Sequence, residues 1–125
     1  MPKSKTTPNK LLSSLGLCAR AGALIFGTPM VCEALRSGGK KKPLLVLEAA
    51  DTSDGTHKKL TDKCASYQTR HVRLDFDGAT LAGALGKSAT LAAVAICDEQ
   101  LCRMIDAQLA ASEKNEHNSN SNNDN

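Results

Sequence analysis

Leu24-Ile25-Phe26-Gly27-Thr28-Pro29-Met30-Val31 is the stretch from which the fold is read. Three apolar residues form a short strand, a glycine ends it, and Thr28-Pro29 opens a helix. Thr28 is a favoured N-cap residue, and Pro29 stands where its missing N–H costs nothing. A helix start leaves backbone N–H groups unpaired at the positive end of the helix dipole, which suits a phosphate or the polar edge of a base. By itself such a junction is an ordinary strand-to-helix connection. What gives it weight is the charge that follows it, Arg36, Lys40, Lys41 and Lys42, expected within reach of the same helix.

Upstream of the strand, Asn9 begins a helix with Leu11, Leu12, Leu15 and Ala19 on its apolar face, closed by Gly22. Downstream, the second helix ends near Ser37 at Gly38-Gly39, and Lys40–Pro43 forms a basic loop. Leu44–Leu47 is apolar on both faces and reads as a buried strand. Asp51, Thr52 and Ser53 offer caps for a third helix carried by Leu60, Cys64 and Tyr67. His71–Leu74 alternates as a strand, Asp77 caps a short helix through Leu85, and Leu91–Ile96 is another continuous apolar strand. Asp98 caps a last helix with Leu101, Met104, Ile105 and Leu109 inward. Strands alternating with helices, two of them apolar on both faces, predict an α/β fold with helices on both sides of one sheet, an α–β–α sandwich. Residues 1–8 read as a flexible basic arm, 9–111 as the domain and 112–125 as a disordered polar tail.

Charge is unevenly shared along the 125 residues. Residues 1–74 carry 13 Lys/Arg against 5 Asp/Glu, and 75–125 carry 3 against 8, within an overall +3. A basic first half favours an anionic partner. Five cysteines make an odd number without a paired framework, which points to a reducing compartment, and with no signal-peptide pattern the cytoplasm is the expected location. The histidines His57, His71 and His117 fall at no metal-ligand spacing with the cysteines, so neither metal nor cofactor is expected. No apolar run approaches a membrane span. With two Phe, one Tyr and no Trp, the chain is poorly equipped to read single-stranded RNA by stacking, and phosphate contacts must dominate any nucleic-acid binding. Enzymatic motifs such as Gly-x-Gly-x-x-Gly, a phosphate-loop lysine or a nucleophile elbow are missing. His57, between Asp54 and Asp62, reads as a polar surface histidine of its helix.

Arg20-Ala21-Gly22, Gly27, Val31 and Ala34-Leu35-Arg36-Ser37-Gly38 together resemble the kink-turn-binding ribosomal proteins of the 7Ae/30e type. Ala49-x-Asp51-x-Ser53-x-x-Thr56, Leu60-Thr61-Asp62-Lys63-Cys64, Ala84-Leu85-Gly86-Lys87, Ala93-Val94-Ala95-Ile96 and Asp98-Glu99 are similar to the small bacterial, ribosomal-protein-like (YlxQ-type) branch of that family. The resemblance spans Leu11 to Leu109. It implies a three-layer sandwich with a mixed four-stranded sheet and RNA binding, with structured and even ribosomal RNA, or the ribosome itself, as partner. It further implies that RNA is held by two neighbouring loops: the Gly27 junction and Lys87-Ser88-Ala89-Thr90.

The chain departs from the family pattern at defined points. An Asn-Glu pair that reads sheared G·A pairs is replaced by Pro29-Met30, a basic residue one turn on by Glu33, and apolar side chains of the second loop by Lys87, Ser88 and Ala89. The candidate RNA-binding set is therefore Arg20, Gly27, Thr28, Pro29, Met30, Arg36, Lys40, Lys41, Lys42, Lys87, Ser88 and Ala89, with recognition carried by backbone and phosphate contacts. The competing expectation is a protein-interaction module on the same fold, using Pro29 and Met30 as an apolar docking spot.

Overall fold

The computed structural model describes the backbone of residues 2–37 and 42–124 and the side chains of 10–37 and 42–111. Among the described residues nine elements follow one another: α1 (Pro2–Arg20), β1 (Leu24–Phe26), α2 (Thr28–Ser37), β2 (Leu45–Glu48), α3 (Asp54–Ser66), β3 (Arg70–Arg73), α4 (Gly78–Ala84), β4 (Ala93–Ile96) and α5 (Glu99–Asp124). The expected arm and tail overlap the outer turns of α1 and α5, whose side chains lie outside the described residues, as do Gly38–Lys41.

The strands form one mixed sheet in the order β1-β4-β2-β3. β1 and β2 both run antiparallel to β4, and β2 runs parallel to β3. Alternation along the two central strands divides the core into two layers. Leu45 and Leu47 of β2 and Val94 and Ile96 of β4 pack with Leu15 of α1, Leu81 of α4 and Ile105 of α5. Val46, Ala93 and Ala95 point the other way, against Val31 and Leu35 of α2 and Leu60 and Cys64 of α3. The helices thus cover both faces of the sheet, as expected from two strands apolar on both sides. The small Ala93 and Ala95 face the side that only α2 and α3 cover.

The caps expected from sequence are largely in place. Ser53 Oγ accepts from the Thr56 N–H, Asp77 Oδ1 from Thr80 at 2.8 Å, and Asp98 Oδ1 from Leu101 at 2.9 Å. β2 is shifted by one residue from its expected bounds, so that Glu48, fully buried, closes the strand in place of Leu44 opening it. Gly78 is needed for packing: a Cβ there would stand 2.6 Å from the Leu91 carbonyl oxygen, so α4 can approach the segment leading into β4 only with a glycine at this point. Its N–H donates to Asp51 Oδ1 at 2.9 Å, fastening α4 to the β2–α3 connection.

Candidate nucleic-acid interface

Because β1 and β4 are antiparallel neighbours, the end of one strand lies beside the start of the other, and the segments attached to those ends converge. Gly27, directly after β1, donates its N–H to the Ala93 carbonyl at the start of β4, 2.8 Å away. The segment preceding β4 carries Lys87, whose Nζ stands 4.2 Å from the centroid of the Phe26 ring. That is cation–π distance. The two loops expected from sequence to share a surface therefore do meet, and Phe26, not singled out in the sequence, is the platform on which the second loop's lysine rests. Ser88 and Ala89 follow Lys87 as exposed residues.

The opening of α2 differs from expectation in one respect. Gly27, not Thr28, is the N-cap: its carbonyl accepts the first helical hydrogen bond, from Val31 at 2.9 Å, and its φ of +90° is one that residues with a Cβ avoid. Thr28 is the first helical residue, and its Oγ1 is buried with no hydrogen-bond partner among the described residues. With proline second, only the Thr28 and Met30 amides remain at the helix end to face an anion. Pro29 is exposed, and Met30, 59% exposed, projects from the same turn.

The cations are less concentrated than the sequence suggested. Arg36 is exposed but donates from one nitrogen to both carboxylate oxygens of Glu33, at 2.7 and 2.8 Å. The acid that breaks the family pattern thus also occupies the helix's own arginine. Lys42 is exposed at the far end of the sheet: Leu44 donates to Ile96, the last residue of β4, whereas Gly27 pairs with Ala93, the first. Three residues of strand, about 10 Å, separate those levels. The structure does not bring Lys42 to the Gly27 junction, because α2 returns the chain to the opposite end of the sheet before β2 begins. Lys40 and Lys41 lie outside the described residues. Arg20, the last residue of α1, borders a shallow hollow with Gly16 and Ala84, beside the helix that leads into the Lys87 loop. The described surface at the junction is therefore two backbone amides, Lys87 on Phe26, and the exposed Pro29, Met30, Ser88 and Ala89.

A second polar assembly was not legible in the sequence. Glu48, at the end of β2, accepts from His71 Nε2 at 2.7 Å on Oε1, and His57 Nδ1 lies 2.9 Å from both of its oxygens. Thr52 Oγ1 donates to Oε2, and Arg73 Nε stands 3.7 Å from it. Burial would push the Glu48 carboxyl pKa up, but the hydrogen bonds from Thr52, His57 and His71 outweigh it and hold the group below the usual carboxylate range. The one hint was an acid two residues after Val46, hence on the same face of β2, the one that α3 covers. His57 is thus not a simple surface histidine of α3.

No family model matches the chain. Among curated proteins it is 35% identical over 85 residues to the RNA-binding protein YlxQ of Bacillus subtilis, a match covering 68% of this chain and 80% of that one. Among solved structures it superposes on a Bacillus halodurans protein of unknown function with a TM-score of 0.72 and 34% identity, covering 81% of this chain and 97% of the other. The Giardia lamblia 15.5kD RNA binding protein superposes with a TM-score of 0.68 over 87% of this chain and 89% of its own, at 19% identity, a likeness of fold. The curated relative is named for RNA binding.

Proposed function

The chain belongs to the family of YlxQ-type RNA-binding proteins, and on that footing we propose that it binds structured RNA through the paired loops at Gly27 and Lys87. The observation that carries this reading is the convergence of the two loops, with the Gly27–Ala93 hydrogen bond and the Lys87–Phe26 contact fixing one against the other. A bent RNA would lay phosphates against the Thr28 and Met30 amides and Lys87, with Arg20, Arg36 and Lys40–Lys42 adding attraction around it. Pro29 and Met30 side chains offer no hydrogen bond to a guanine edge, so sequence reading of the G·A type is not part of the proposal. Ribosomal RNA in the cytoplasm is the partner class that this reading favours, with residues 9–111 as the binding unit.

Crosslinking in cells, followed by sequencing of the attached RNA and mapping of the attached peptides, tests it. The reading requires crosslinks within residues 26–30 and 86–90, on RNA with a helical bend. Crosslinks confined to other faces would remove it. A second reading rests on Met30, whose exposure beside Pro29 gives the tip of α2 an apolar spot. On that reading the junction docks a protein, and partners recovered with the chain survive ribonuclease.

A further inference from the structure

From the Glu48, His57 and His71 side chains we infer a binding site for a single divalent transition-metal ion of the zinc class, on the α3 side of the sheet and separate from the loops assigned to RNA. The three residues come from three successive elements, β2, α3 and β3. Parallel pairing of β2 with β3 sets Val46 beside His71 and Glu48 beside Arg73, so His71 and Glu48 occupy the same face. His57 reaches that face from the first turn of α3, whose start is fixed by the Ser53 cap. One ligand atom from each residue lies within 4.8 Å of the other two.

The geometry is close to what such an ion needs. Zinc takes imidazole nitrogen and carboxylate oxygen at about 2.0–2.2 Å, which sets neighbouring tetrahedral ligand atoms roughly 3.3–3.5 Å apart. Here Glu48 Oε1 is 2.7 Å from His71 Nε2 and 2.9 Å from His57 Nδ1, so the gaps must open by roughly 0.4–0.8 Å as the ion takes the place of the hydrogen-bonding protons. His57, its side chain 42% exposed, can move away from the fully buried Glu48, whereas the Glu48–His71 gap opens only by a turn of the His71 ring, 15% exposed, about its own side-chain bonds.

The two carboxylate oxygens are held differently. Oε2 takes the Thr52 hydroxyl and faces Arg73, whose guanidinium also donates to the Ala50 carbonyl at 3.1 Å and to Thr52 Oγ1 at 3.3 Å. Oε1 takes His71 Nε2 and nothing from Thr52 or Arg73, while His57 Nδ1 lies 2.9 Å from both oxygens and so also reaches Oε1. A carboxylate anchored through one oxygen and presenting the other is the arrangement that orients a metal ligand. Two imidazoles and one carboxylate leave a fourth position open, on the solvent side next to His57, where water completes the shell. The donor set is nitrogen with oxygen, which suits zinc and its neighbours better than calcium or magnesium.

The test is a titration of zinc into the full-length chain at neutral pH, read by equilibrium dialysis and by the imidazole ¹⁵N shifts. Wild type and the H57Q and H71Q variants are compared. One ion per chain is expected, with the shifts moving at His57 Nδ1 and His71 Nε2 and either variant binding at least about tenfold more weakly. H57Q keeps a hydrogen-bonding group toward Glu48 at an exposed position, so its circular dichroism should match wild type and a loss of metal is then not a loss of fold. Cobalt substituted for zinc should give no sulfur-to-metal charge-transfer band, which distinguishes this site from the five cysteines. Saturable binding undiminished in H57Q, a thiolate band that follows binding, or no saturable binding would each overturn the assignment, leaving the trio as a hydrogen-bonded ion cluster.

Discussion

Glu33 lies within the first two turns of α2 and takes two hydrogen bonds from Arg36, one turn further on. Both side chains are more than half exposed, so solvent and salt screen the pair and it adds little to the stability of the helix. The carboxylate also repels phosphate brought to the α2 tip. Replacing it by Glu33→Gln should therefore leave the melting temperature almost unmoved, release Arg36, and steepen the salt dependence of RNA binding by about one phosphate contact; filter binding at several salt concentrations reads this directly. Cys64 gives a second expectation. Burial, and then the nearby Cys32 and Glu48, push its thiol up to about 11. At pH 8 it is thus held as the unreactive thiol, and the thiolate appears only as pH approaches that value. Timed alkylation with mass mapping should label the partly exposed Cys32 and Cys97 well before Cys64 in the folded chain. Thr28 marks where single residues misled: a threonine before a proline reads as a cap, yet Gly27 can adopt the positive φ that the turn requires and takes that place itself.

The elements were readable because burial repeats at the strand and helix periods. Val46 and Ala95 against Leu45, Leu47, Val94 and Ile96 record two faces, and that pattern alone demands helices on both. What it does not encode is the order of strands, set by long-range pairing. That order decides whether two loops meet, and it brings Lys87 to Phe26 while leaving Lys42 at the other end of the sheet. Glu48 is the same lesson in a single strand. The strand's apolar run ended in sequence at Leu47, and only the pairing with β3 together with the docking of α3 reveals that the next residue is buried between His71 and His57. Gly78 tests the close packing of α4 on the approach to β4. Gly78→Ala forces a methyl against the Leu91 carbonyl and should destabilise the fold by about 1–3 kcal/mol, seen as a lowered denaturation midpoint with an unchanged denaturant slope.

Taken whole, the molecule carries its net positive charge in residues 1–74, yet its described cations stand at more than one end of the sheet, Lys42 at one and Lys87, from the second half, at the other. On the proposed function, attraction for RNA would arise from the combined field, while the Gly27 and Lys87 loops would set where the ligand sits. Reversing Lys40, Lys41 and Lys42 together to Glu should weaken RNA binding without altering which RNA is preferred. RNA affinity measured across a range of salt concentrations, for wild type and for Lys87→Glu, addresses the binding proposal most closely. With Lys87 on phosphate at the junction and about three more contacts made beyond it by Arg20, Arg36 and the 40–42 lysines along a longer RNA, log affinity should fall with log salt at a slope near −3, and Lys87→Glu should reduce its magnitude by about 1. A flat dependence, or RNA binding that is absent at low salt or indifferent to Lys87, would contradict it.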